Sequence, residues 1–143
     1  MEVKKQTNLR FLGVDILHFD MRTVQAYDKD DPPQIKINNN PFYRFADDDK
    51  QILFIVNEID IALEEFFSIR LVAMGNFELG DDLSKEHLSN YIQVNAPAIM
   101  FPYIRSFISL VTLNSGRMIP TITLPPMIFQ GEIKEYKDKN TKA

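Results

Sequence analysis

The 143-residue sequence predicts an α+β chain, with an antiparallel sheet from the front half covered on one side by helices from the back half. Three observations carry this. Apolar residues alternate with period two as far as Phe77, the signature of half-buried strands. From Ser84 onward the apolar spacing changes to the three-and-four of a helix. The apolar set is also rich in strand formers, with sixteen isoleucines and eleven phenylalanines.

The first strand is read from Leu12, Val14 and Ile16, after which the phase shifts to Leu17, Phe19 and Met21. A phase change within one strand requires a bulge or strong bend, because the side-chain period is two. Asp28 to Pro33 is a charged turn whose tandem prolines exclude a central strand. Gln34 to Ile37 alternates again. Asn38-Asn39-Asn40-Pro41 is expected to break that strand before Phe42 to Phe45, and Asp47-Asp48-Asp49 to form a loop.

Ile52 to Leu63 and Phe66 to Phe77 read as the arms of a long hairpin with Glu64-Glu65 at its tip. Leu53, Ile55, Ile59, Ile61 and Leu63 share one face with Phe67, Ile69, Leu71 and Ala73 of the second arm. The opposite face carries Glu58, Asp60, Ser68, Arg70 and Asn76, so Arg70 is placed to pair with Glu58 or Asp60. Such a surface pair contributes at most about 1 kcal/mol.

Ser84 with His87, and the spacing of Leu83, Leu88, Tyr91 and Ile92, predict a short helix. Asn95 and Pro97 then supply a cap and a first-turn proline for a second helix ending at Gly116. Pro102 predicts a kink. This second helix is apolar nearly all round, from Ile99 to Leu113, with one narrow polar stripe through Arg105, Ser109 and Thr112. One sheet cannot cover so much apolar surface, which implies a second subunit. Pro120 to Pro126 is an edge strand or extended segment, and Glu132 to Lys137 a last helix. Residues 1–143 form a single domain by length, with 1–8 and 137–143 expected as disordered termini.

Composition and charge exclude several classes of function. The chain has no cysteine, hence no disulfide, thiolate nucleophile or zinc ribbon, and only two histidines. This fits a reduced compartment, and we expect a cytoplasmic protein with no cofactor and no metal. Met1 to Arg10 has no apolar stretch of a signal peptide. Ala96 to Ser115 is long enough to cross a bilayer, but its polar residues gather on one helical face, so no membrane insertion is expected. Residues 1–95 carry 17 acidic and 10 basic side chains, whereas 96–143 carry 3 and 6, giving nets of −7 and +3. The basic excess lies partly in the tail lysines, and no aromatic platform accompanies it, so nucleic-acid binding is not expected.

Catalytic motifs fail on their chemistry. Gly75 and Gly80 have the spacing of a phosphate loop, but Asp81 and Asp82 stand where Lys and Ser or Thr belong. Asp28, Asp30 and Asp31 lack the glycine turn and final Glu of a calcium loop. His18 and His87 lie in no nucleophile-elbow context. The residues point away from an enzyme.

Two segments are then distinctive. Pro97-Ala98-Ile99-Met100-Phe101-Pro102-Tyr103-Ile104-Arg105, followed by Leu110-Val111 and Gly116, resembles the signature of SecB-type export chaperones. Pro120 to Phe129 is similar to that family's segment before its last helix. Pro33 to Ile37 and Gly75 to Leu79 match its second and fourth strands. The resemblance spans roughly residues 9–136 and is strongest over 95–129.

This resemblance implies a four-stranded antiparallel sheet with C-terminal helices on one side, assembling as a dimer of dimers, a homotetramer. It implies an ATP-independent holdase that binds unfolded preproteins in apolar grooves and passes them to the SecA motor of the export machinery. Client-binding positions carried over are Ile35, Ile37, Phe67 and Phe129. Asp15 and Asp20 would contribute to an acidic motor-docking face, and Phe101, Tyr103, Phe107 and Val111 to an oligomer-interface helix. Three positions depart from the family pattern. Asp31 stands where a tryptophan is common, Arg70 where the fourth strand should carry an acid, and the tail is lysine-rich rather than acidic. The last two reverse the sign expected for SecA docking. They suit relatives dedicated to one client, such as an antitoxin. A self-assembling interaction module is the reading from outside the chaperone class.

Overall fold

The computed structural model describes residues 9–126 and 131–136. Strands β1 (Leu9–Thr23), β2 (Lys36–Phe45), β3 (Ile52–Leu63) and β4 (Phe67–Leu79) come first. Helix α1 (Lys85–Asn90), a wide π turn (Tyr91–Asn95) and helix α2 (Ala96–Leu113) follow, and a two-residue strand β5 (Lys134–Glu135) comes last. The sheet order is β1-β4-β3-β2-β5. The first four strands are antiparallel as expected. The correction is a fifth strand, parallel to β2, which makes the sheet mixed.

The expected phase change in β1 is a bulge between Ile16 and His18, with a second between Phe11 and Gly13. Gly13 has φ of +121°, a conformation that favours glycine, which explains the second bulge. The expected break at Asn38 to Pro41 does not occur. β2 runs through it, with Asn39 opposite Ile59 and Pro41 opposite Asn57. A proline is tolerated there because Tyr43, two residues on, turns its carbonyl outward to the Tyr136 amide. By the alternation of an antiparallel pair, the donor that Pro41 lacks would also face outward, not toward β3.

The hairpin turn falls at Glu64 to Phe66, with Glu65 at φ 74°. The face predicted to be apolar is the core: Leu53, Ile55, Ile59, Ile61, Phe67, Ile69, Leu71 and Ala73 are all buried. On the opposite face Arg70 bonds Glu58 at 2.9 Å and Asp60 at 3.2 Å. The hydrogen bond to Asp60, ahead of that acid's charge and the Glu58 contact, pushes the guanidinium pKa up.

Helix α2 buries Ala96, Met100, Ile104, Ile108 and Thr112, one residue every four. A Cβ added at Gly75 would sit 2.9 Å from Met100 Sδ, so this glycine lets the helix approach the sheet. Phe11 stacks near Tyr103, with ring centroids 5.2 Å apart, and Phe19 meets Phe107 edge-on at 5.3 Å. These pairs set α2 over the β1 side of the sheet.

The Ser84 cap is present, its hydroxyl accepting from the His87 amide at 3.1 Å. Asn95 is not a cap. Its backbone is already helical and its side chain makes no capping bond, because the chain enters α2 from the π turn. Pro97 cannot donate to the carbonyl four residues back, and the wide turn lies just before it.

The polar stripe of α2 ties down the next segment. Arg105 Nε donates to the Leu124 carbonyl at 2.9 Å, Ser109 Oγ donates to the Ile122 carbonyl at 3.0 Å, and Thr112 Oγ1 accepts from the Ile122 amide at 2.9 Å. The proline-rich chain therefore lies extended along the helix and buries Ile119, Ile122 and Leu124.

The expected helix from Glu132 to Lys137 is extended over its described part, through Tyr136. The Gln93 side chain takes both backbone groups of Ile133, accepting from its amide at 2.7 Å and donating to its carbonyl at 2.8 Å. A helix here would need the Ile133 carbonyl for the amide four residues on.

Candidate functional site

Because α2 sits toward β1, the β2 side of the core face is flanked by α1, the π turn and, among the described residues, the returning chain around Ile133. This leaves a groove of ≈ 470 Å³ between β2, the start of α2 and the returning chain. Its walls include Pro41, Val94, Pro97, Phe101, Pro102 and Ile133, all apolar. Its floor is polar. Asn57 lies on the apolar face of β3 yet is 6% exposed, accepting from Asn39 Nδ2 at 2.9 Å and donating to Met100 Sδ at 3.4 Å. Among the described residues, Asn39 Oδ1 is the one buried side-chain polar atom without a partner. Amide side chains in an otherwise largely apolar lining suit an extended polypeptide, whose backbone carries the same groups.

A second cavity, of ≈ 650 Å³, lies on the other side of Ile133. It is lined by Tyr43, Lys85, Leu88, Glu132, Lys134 and Glu135, among others. Burial, and then the charges of Glu135 and Glu132, raise the Tyr43 pKa above its ordinary value. Among the described residues no cluster of three metal-ligating side chains occurs.

Of the residues expected to bind clients, Ile35, Ile37 and Phe67 do not line this groove. Ile35 and Ile37 are half-buried on the same sheet face, nearer the β3–β4 turn. Ile37 pairs with Ile61, which pairs with Ile69, so β3 separates Ile37 from the strand of Phe67. Phe67 itself is 3% exposed, within the core. Phe129 lies outside the described residues.

Asp15 is exposed and accepts from Asn76 Nδ2 at 3.0 Å. Asp20 pairs with Arg22 at 3.6 Å and stands opposite Arg70 in register. Of the interface residues, Phe101 lines the groove, Phe107 packs on Phe19, Val111 is half-buried and Tyr103 is 54% exposed. The larger exposed apolar surface is elsewhere, at Leu12, Leu17, Val94, Leu110 and Leu113. Asn39, Asn57 and Gln93 were missed as site residues. The one signal for Asn57 was a polar residue at a core position of β3.

The helix-and-turn unit Lys85–Leu113 is long and apolar enough to cross a membrane, but α2 packs on the sheet along its buried stripe.

Comparison with known proteins places this architecture. The profile of the family described as Preprotein translocase subunit SecB matches residues 14–139. Protein-export protein SecB of Bartonella bacilliformis is 30% identical over 118 residues, covering 78% of this chain and 72% of that protein. An uncharacterized protein of Methanocaldococcus jannaschii is 24% identical over 150 residues, covering 99% of this chain and 95% of its own length. Among solved structures, the SecB-like chaperone Rv1957 of Mycobacterium tuberculosis, in complex with a ChAD peptide from the HigA1 antitoxin, has a similar fold. Its TM-score is 0.64 at 15% identity, covering 83% of this chain and 90% of that one.

Proposed function

From the premise that this chain belongs to the SecB family, we propose that it is a cytoplasmic, ATP-independent holdase. Unfolded polypeptides occupy the groove beside β2 and are held for the export machinery. The observation that carries this reading is the groove itself, with apolar walls and the amide side chains of Asn39, Asn57 and Gln93 in its lining. A site that binds the unfolded chain and not the folded one keeps a client unfolded by mass action. Half-buried Ile35 and Ile37 extend the client surface beyond the groove, the family resemblance alone assigns Phe129 to it, buried Phe67 supports it from the core, and Asp15 and Asp20 belong to the face that meets SecA. The exposed apolar residues of β1 and α2 are covered by further copies in a homotetramer built as a dimer of dimers. No catalytic step, cofactor or metal enters this function.

A second reading, a chaperone dedicated to one client such as an antitoxin, is favoured by Arg70. It places a cation between Glu58 and Asp60 on the outer face, where an acidic motor-docking surface would be expected. The solved relative that binds an antitoxin peptide is consistent with it.

The test is light scattering by an aggregating, chemically unfolded protein with and without this chain, together with its mass in solution. Suppression at a severalfold excess of tetramer is expected, and its absence would sink both chaperone readings. Salt-sensitive binding to purified SecA supports the general export role. Suppression without SecA binding supports the dedicated one.

A further inference from the structure

The two cavities share two lining residues, Gln93 and Ile133. These are the residues joined by the paired hydrogen bonds of 2.7 and 2.8 Å. What separates the cavities is therefore a short stretch of the chain's own backbone, residues 131–136, which one side chain, Gln93, fastens at Ile133.

The attachments of this stretch are few. Ile133 is 4% exposed, but Lys134, Glu135 and Tyr136 are exposed. β5 pairs only with Phe42 and Tyr43 of the ten-residue β2. The Tyr136 amide donates to the Tyr43 carbonyl at 2.7 Å, and the Tyr136 ring lies 5.1 Å from that of Phe42. The stretch begins at Gly131, whose φ of +134° favours glycine and provides a pivot.

We propose that residues 131–136 are a displaceable strap, latched by Gln93, which occupies the β2 edge that an extended segment of an unfolded client takes in its place. This deepens the holdase reading above and rests on it. With the strap lifted, the cavities join into one trough along β2. The outward carbonyl of Tyr43 is then free to accept from a client amide. The occupant is an extended polypeptide because the strap is itself one. It satisfies the β2 edge with a backbone amide and fills the trough with one apolar side chain, Ile133, as strand addition requires. The parallel direction of β5 shows that this edge accepts a chain running the same way as β2.

The cysteine-free sequence permits a clean test. Phe42 and Lys134 are cross-strand partners, and neighbouring strands lie close enough for a disulfide. In the variant Phe42→Cys with Lys134→Cys, oxidation locks the strap and reduction frees it. The probe is labelled, reduced and carboxymethylated α-lactalbumin, a permanently unfolded chain. The reduced variant should bind it, and oxidation should weaken binding by about tenfold or more.

Equal binding in both redox states overturns the strap. Absence of binding by the unsubstituted chain overturns the holdase reading itself. Gln93→Ala, which removes the latch, should tighten binding severalfold, and weaker binding would also overturn the proposal. The unsubstituted chain supplies an independent reading. Hydrogen exchange at the Tyr136 amide should accelerate when the probe is added, and unchanged or slower exchange refutes displacement.

Discussion

The two edges of the sheet are treated in opposite ways. On β1, fifteen residues long, no strand covers the outer side among the described residues. Leu12 and Leu17, the unpaired residues of its two bulges, are 46% and 54% exposed. The β2 edge carries a proline at Pro41, a short parallel strand from the same chain, and a glutamine that fastens it. Open edges with apolar side chains recruit other strands, and proteins blunt those they do not use. An edge left bare and greasy suits a permanent partner of the same kind. One covered by a removable piece of its own chain suits partners that come and go.

The sharpest way to break this contrast is to charge the β1 edge. Leu12→Lys combined with Leu17→Lys should reduce the proposed tetramer to a smaller species in sedimentation equilibrium. Both sites are exposed in the subunit, so its own stability should move by only about 0.5 kcal/mol per site. An unchanged mass would mean that β1 is not where copies meet.

A smaller effect is expected at the guarded edge. Ile133→Ala removes a buried side chain, which costs about 2–4 kcal/mol where the surroundings cannot collapse. If the strap opens by itself, this loss appears as faster hydrogen exchange at Tyr136, while Phe19 in β1 stays protected and the global urea midpoint shifts little. A full shift of the midpoint would show that both edges melt together.

The smallest effect is one of pH. Burial and the nearby Glu135 and Glu132 raise the Tyr43 pKa, so the folded chain holds this proton more tightly than the unfolded one. Below about pH 10, the ordinary tyrosine value, the contribution to stability is constant. As pH rises through that value the unfolded chain ionises first, and stability falls. Urea melts from pH 9 to 11 should show a decline that Tyr43→Phe reduces, with exchange at Tyr136 rising in parallel.

Much of the fold was legible because period and propensity are local. The hairpin arms, the Glu64-Glu65 tip, the bulge near Leu17, the short helix after Ser84 and the Arg70 ion pairs all follow from short-range pattern. The failures share a cause. Asn38 to Pro41 looks like a break, yet in β2 the missing proline donor points away from β3. Glu132 to Lys137 looks helical, yet Gln93, forty residues earlier, takes the Ile133 backbone groups. The groove was legible only in fragments. Phe101 was read as an interface residue, and Asn39 as part of a strand break.

The sequence by itself determined the α+β class, which sheet face is apolar, the family, and the surplus of apolar helix surface. These depend on spacing along the chain and on short distinctive strings. Only the tertiary structure decided that α2 leans toward β1, that its polar stripe holds the proline segment, and that one glutamine divides two cavities. Each of these joins residues from ten to 92 positions apart through one or two hydrogen bonds or ring contacts. Such bonds depend on where the backbone has already been carried, which no local pattern encodes.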